Sequence, residues 1–159
     1  MSNNKILIAG VILTLGFAAF LFWPNISNEL NLSDKKKIVM YKNAGCECCT
    51  KWAAYMMATG DYIVEERPVE VLAQVKQDYG ISRQNSSCHT AIVDGYVVEG
   101  HVPAEDVNRL LTERPDAIGI AVPGMPIGSP GMEVPGRPAA NYDVLLVGKD
   151  GESSVYNSH

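Results

Sequence analysis

The chain has 159 residues, with 13 Lys and Arg against 18 Asp and Glu, and four cysteines. That length fits one domain, and the ordinary composition excludes disorder and collagen-like repeats. All 18 acids lie after residue 24, against 12 bases, so that part carries a formal charge of −6. With no basic stripe it is a poor nucleic-acid binder, and no such partner is expected.

Residues 1–24 do not read as domain. Ile6–Trp23 runs 18 residues without a charge. As a helix it would span about 27 Å, close to a hydrocarbon core of about 30 Å, and no face of it is polar. Ala18 and Ala19 fall inside the apolar run, and Trp23-Pro24-Asn25-Ile26 offers no good cleavage site. An uncleaved N-terminal transmembrane helix is expected, ahead of a cleaved signal. Lys5 and the N-terminal amine favour an inside N-terminus, against Lys35-Lys36-Lys37. The expected arrangement puts the domain outside, in an oxidising compartment. Residues 25–37 are a linker, 38–156 the folded domain and 157–159 a frayed tail.

Ile38–Lys42 is a β-branched run and predicts a strand, followed by the turn Asn43-Ala44-Gly45 and by Cys46-Glu47-Cys48-Cys49. Thr50–Thr59 is helical, with Trp52, Tyr55, Met56 and Thr59 on one face and Gly60 as the stop. Tyr62–Glu66 predicts a second strand. Val69–Tyr79 predicts a second helix with Val71, Leu72, Val75 and Tyr79 as its apolar stripe. A polar loop, Ser82–Ser87, leads to Cys88-His89. Thr90–Asp94 and Tyr96–Glu99 form a hairpin through Asp94-Gly95. Pro103 opens a third helix through Glu113, with Val107, Leu110 and Leu111 inward, and Pro115 closes it. Gly119–Pro138 holds five Gly and five Pro, which excludes a regular helix or an inner strand. A loop of that length is expected to be functional or disordered. Tyr142–Gly148 and Glu152–Tyr156 form a closing hairpin around Asp150-Gly151.

The order βαβαββα, in the α/β (α+β) class, is that of a thioredoxin-like fold. In that fold a Cys-x-x-Cys pair sits between the first strand and first helix, where Cys46 and Cys49 stand. Helix N-terminal N–H groups favour thiolates there. The loop before the third strand packs on the same helix start, so Cys88 is expected beside Cys46, Cys48 and Cys49. Three readings follow. Two structural disulfides would require strained short loops. A thiol–disulfide oxidoreductase would use Cys46 and Cys49, with Cys48 inviting scrambling. A soft-metal site would use all four thiolates, with crowded sulfurs bridging several Cu(I) ions more readily than wrapping one zinc.

Met125 and Met132 each follow Pro-Gly on the long loop, as further Cu(I)-compatible ligands or as methionines packed on the domain face. Met56 and Met57 belong to core and rim. His89 adjoins Cys88 and is a ligand, a support to one, or a hydrogen-bonded core residue. His101, after Gly100 at the end of the hairpin strand, is a metal-site residue or a cap for the Pro103 helix region, and His159 is assigned no role. No Ser/His/Asp triad, phosphate loop or carboxylate pair supports hydrolysis or phosphoryl transfer.

Tyr41-Lys42, Cys46-x-Cys48-Cys49-x-x-Trp52, Ser87-Cys88-His89-Thr90-Ala91, Gly95–Pro103, Pro115-Asp116-Ala117 and the stretch from Val122 to Met132 together resemble the CopG-like family. These are bacterial periplasmic or membrane-anchored proteins associated with copper resistance. The resemblance covers roughly Ile38 to Tyr156. It implies a thioredoxin-like fold and a multinuclear copper centre bridged by cysteine sulfur, with Cys46, Cys48, Cys49 and Cys88 as ligands and Met125 and Met132 matching the family's Pro-Gly-Met elements. It implies a role in copper redox handling, as a copper oxidoreductase, or in sequestration. A buffer or carrier without redox turnover would share the ligands. The partners implied are copper ions, a periplasmic copper carrier or an electron partner. Together with the anchor it implies a bacterial inner-membrane protein with its domain in the periplasm. Glu47 stands where family members often have a small residue.

Overall fold

The computed structural model describes residues 34–159. The expected anchor, Ile6 to Trp23, and most of the linker lie outside the described residues. Among those described, no helix is long and apolar enough to cross a membrane. Lys35–His159 forms one compact unit.

The elements run β1 (Lys36–Lys42), α1 (Glu47–Ala58), β2 (Tyr62–Pro68), α2 (Leu72–Asp78), β3 (His89–Val93), β4 (Tyr96–Glu99), α3 (Ala104–Glu113), β5 (Gly119–Ala121), β6 (Asp143–Val147) and β7 (Ser153–Ser158). They make a mixed α+β unit around one seven-stranded sheet of order β2-β1-β3-β4-β5-β6-β7. β1 and β2 are parallel, while β1–β3 and β3–β4 are antiparallel. The β3–β4 turn places Asp94 at φ 51° and Gly95 at φ 88°, the left-handed pair that a tight hairpin turn demands.

Strand alternation sends successive side chains to opposite faces. Ile38 and Met40 of β1 join Trp52, Ala53 and Met56 of α1 and Val107 and Leu110 of α3 in the core. Trp52 Nε1 donates to the Val102 carbonyl at 2.8 Å, and the Ala104 N–H donates to the Tyr55 hydroxyl at 3.1 Å. α2 covers the other face, where Tyr41 meets Tyr79 at 6.0 Å between ring centroids.

Three expectations need correction. The second helix starts at Leu72, not Val69. Val71 is its N-cap and, like Tyr79, is exposed, while Leu72 and the unexpected Lys76 face the sheet. The Gly/Pro-rich stretch does contribute an inner strand, since Gly119–Ala121 pairs with β4 on one side and β6 on the other. It precedes the first proline of the stretch. At Gly119 a Cβ would lie 1.8 Å from the Val97 carbonyl oxygen, so the glycine permits the close strand approach. The tail is not frayed. Asn157 and Ser158 extend β7, and His159 Nε2 meets the buried Asp106 carboxylate at 2.7 Å.

Candidate metal centre

The local sequence positions the thiols in two ways. Asn43-Ala44-Gly45 turns the chain out of β1, so that Cys46 becomes the N-cap of α1 and Cys48 and Cys49 fall in its first turn. No side chain caps this helix. Lys42, buried at the end of β1, braces the turn by donating to the Cys46 carbonyl at 3.3 Å and pairing with Glu66 at 2.6 Å. Cys88 comes from the other half, one residue before β3.

All four sulfurs lie within 4.8 Å of one another. Cys46 and Cys49 form a disulfide, and Cys48 and Cys88 are free. Cys48 Sγ stands 3.5 Å from Cys46 Sγ and 3.8 Å from Cys88 Sγ, and Cys49 Sγ stands 3.6 Å from Cys88 Sγ. The sequence separation of 40 between Cys48 and Cys88 thus vanishes in space.

Two imidazoles back the thiols. Cys88, His89 and His101 form a second donor group whose ligand atoms also lie within 4.8 Å. His89 is fully buried, with its ring 4.6 Å from Trp52 and edge-on to His101 at 5.1 Å. Its Nδ1 is 3.3 Å from Cys88 Sγ, and its Nε2 has no hydrogen-bond partner among the described residues. His101 is also buried. Its Nε2 stands 2.8 Å from Cys88 Sγ and its Nδ1 2.8 Å from the Pro130 carbonyl. A carbonyl only accepts, so Nδ1 carries the proton and Nε2 of the neutral ring offers a lone pair.

Burial pushes the Cys88 thiol up to about 12, with nearby Cys48 adding to the effect. This departs from the expected thiolate at Cys88, because burial disfavours the charged form. Burial first, and then neighbouring positive groups, hold His89 well below the usual histidine range, and burial lowers His101. Burial therefore favours the neutral forms of Cys88, His89 and His101 in the metal-free site.

The Gly/Pro-rich stretch straps the site. Gly124 donates its N–H to the Ser86 carbonyl at 3.1 Å, and its carbonyl accepts from the Ser87 hydroxyl. At Gly131 (φ 84°) a Cβ would fall 2.8 Å from the Trp52 nitrogen and 3.0 Å from the Cys48 carbonyl oxygen. These anchors tie the two Pro-Gly-Met elements to Ser86–Ser87 and to the first turns of α1, with Met125 more than half exposed and Met132 partly buried.

His101 is the residue for which the structure decides between the two readings. It caps nothing, since Pro103 is the α3 N-cap. The signal was present. Val93 pairs with Tyr96 and Thr90 with Glu99, so counting back from the Asp94-Gly95 turn sets Cys88 opposite His101.

Four converging sulfurs and two neutral imidazoles on a small sheet domain define a thiol-rich, metal-binding class of protein. A family model described as a protein of unknown function, DUF411, matches residues 85–132. A solved structure named copper resistance protein CopG, form 2, is 39% identical, with a TM-score of 0.74, over 79% of this chain and 98% of that chain. Form 1 is 40% identical, with a TM-score of 0.72, over 77% and 96%. No curated protein matches the chain. The chain belongs to the CopG-like copper-resistance family. Family and cluster together support a metal-binding role in copper resistance.

Proposed function

We propose that the cluster holds copper, bridged by cysteine sulfur over more than one ion, and that the protein serves copper resistance by Cu(I)/Cu(II) redox handling or sequestration. The observation that carries this is the packing of Cys46, Cys48, Cys49 and Cys88 within 4.8 Å. Soft thiolates select Cu(I) over hard cations. The donor set fits the metal, because Cys88, which joins the four-sulfur group, also belongs to a second donor group with His89 and His101, and sulfur and imidazole both suit copper. Cys46, Cys48, Cys49 and Cys88 hold the copper, with His89, Met125 and Met132 as further ligands. The parallel β1–β2 unit, the β3–β4 hairpin and the flanking helices are read as a thioredoxin-like half extended by β5–β7. Residues 1–24 anchor the domain at the periplasmic face of the inner membrane, where a copper carrier or an electron partner meets it.

An anaerobic Cu(I) titration of the reduced protein against a competing chelator tests the reading, with metal analysis of Cys88→Ser beside it. More than one copper per chain, lost in part on removing Cys88, is expected. Less than one copper, or full retention without Cys88, overturns the cluster.

The Cys46–Cys49 disulfide favours a second reading, a thiol–disulfide oxidoreductase. That reading predicts disulfide turnover dependent on Cys46 and Cys49 and indifferent to chelators.

A further inference from the structure

Behind Cys88, on the α2 face of the sheet, lies a buried charge pair that the copper reading does not use. Glu99 of β4 is fully buried, and Lys76 of α2 reaches its Oε1 at 2.5 Å. The same carboxylate accepts the Ser87 backbone N–H at 2.6 Å and the Thr90 hydroxyl at 2.7 Å. Lys76 also donates to Thr90 Oγ1 at 3.1 Å. Ser87 and Thr90 bracket Cys88 and His89. The next residues of the chain continue the grip: the Gly100 N–H donates to the His89 carbonyl at 3.0 Å, and His101 Nε2 meets Cys88 Sγ at 2.8 Å.

Stability alone does not account for this arrangement. Removing two charges from water is costly, and well-packed apolar replacements of a buried pair are often neutral or stabilising. Position does account for it. Cys88 lies outside the β3 ladder, which begins at His89, and on its N-terminal side the backbone pairs only through a single bridge between Ser87 and Gly124 of the strap. The Ser87 N–H bond to Glu99 fixes the chain on its N-terminal side, and the Thr90 bond fixes it beyond His89.

We propose that Glu99, through its acceptor oxygens, is the positioning residue that keeps the Cys88 sulfur inside the thiol cluster. The inference rests on the copper reading only for its metal readout.

Two double variants of the full chain test it. Lys76→Met/Glu99→Gln removes both charges and keeps an acceptor oxygen for Ser87. Lys76→Met/Glu99→Leu removes the acceptor as well and leaves apolar groups in its place. The readouts are amide exchange at Ser87 and peptide-mapped alkylation of Cys88 in the metal-free protein, followed by Cu(I) titration. The Leu variant is expected to exchange Ser87 at least about 100-fold faster, as for a locally opened segment. It should alkylate Cys88 faster and bind Cu(I) at least about tenfold more weakly, on the scale of lost support to a ligand. The Gln variant is expected to match wild type. A folded Leu variant with unchanged Ser87 exchange and Cys88 alkylation overturns the proposal, as does a Gln variant that behaves like the Leu variant. If the Leu variant does not fold, wild type decides: a Ser87 amide exchanging like an exposed loop sinks the clamp, and protection matching β3 supports it. If wild type binds no Cu(I), the copper reading fails while exchange and alkylation still read the clamp.

Discussion

The Cys88 thiol and the His101 imidazole meet at 2.8 Å, while the far nitrogen of His101 is tied to the Pro130 carbonyl on the strap. One ring thus links the β3 end, the β4 end and the Gly/Pro-rich loop. Outer hydrogen bonds of this kind fix a ring's tautomer and orientation, and losing such support costs about 10–100-fold in metal affinity. His101→Ala is expected to weaken Cu(I) binding by that amount, read by chelator competition, while Cys46, Cys48 and Cys49 remain in place.

Formation of the Cys46–Cys49 disulfide removes two of the four clustered thiols as ligands and leaves Cys48 and Cys88 free. The oxidised protein is expected to bind less Cu(I) than the reduced one, and reductant should restore the difference. Mass-mapped thiol labelling paired with metal analysis checks this. Equal copper content in both states would remove the disulfide from the copper chemistry.

With Cys88 raised to about 12, copper binding at this sulfur must displace a proton at any ordinary pH. Apparent Cu(I) affinity should therefore climb as pH rises from 6.5 to 8.5, by about tenfold per unit for each proton displaced. Cys88→Ser should flatten the slope. The measurement is chelator competition at several pH values, with the chelator's own pH dependence subtracted.

The metal-free fold should weaken in acid. Folded His89 stays neutral well below its ordinary value, while an unfolded chain protonates it near about 6.5. Stability from this group is full above that value and falls as pH drops, by about 1.4 kcal/mol per unit. Denaturant unfolding at pH 7.5 and 5.5 reads the slope. His89→Phe keeps a ring against Trp52, removes the titration and should shrink the difference.

Gly131 packs its backbone on the first turns of α1, where a Cβ would meet the Trp52 nitrogen and the Cys48 carbonyl oxygen. Gly131→Ala should displace the strap at a cost of about 1–3 kcal/mol and speed copper release to a chelator. Thermal unfolding and stopped-flow release measure the two effects. A slow release rate in a destabilised variant would show that the strap does not cover the metal.

Much of this was legible in the sequence, for identifiable reasons. Strand alternation, the Asp94-Gly95 turn and the Pro103 helix start are local signals, and each element appears near its expected place. The convergence of Cys88 on Cys46, Cys48 and Cys49 followed from chain order alone. What escaped was set by contacts distant in sequence. Lys76 faces the sheet because Glu99 waits there, and a helical apolar stripe cannot announce a buried ion pair. The β5 strand escaped because its glycine reads as a breaker until Val97 is seen against it. His101 stayed open between two readings for want of one register count across the hairpin.

The three-residue β5 strand also has a kinetic meaning. It is the pairing through which the β6–β7 hairpin joins the rest of the sheet. The strap leaves the sheet just after it and returns at β6. Both ends of the strap are thus rooted at this narrow seam. Transient fraying of three residues would slacken the strap without disturbing β1, β3 or α1. If the strap retains a bound ion, its release is expected to follow local opening of this seam, read by hydrogen exchange at Ile120 and Ala121 against the rate of metal loss to a chelator.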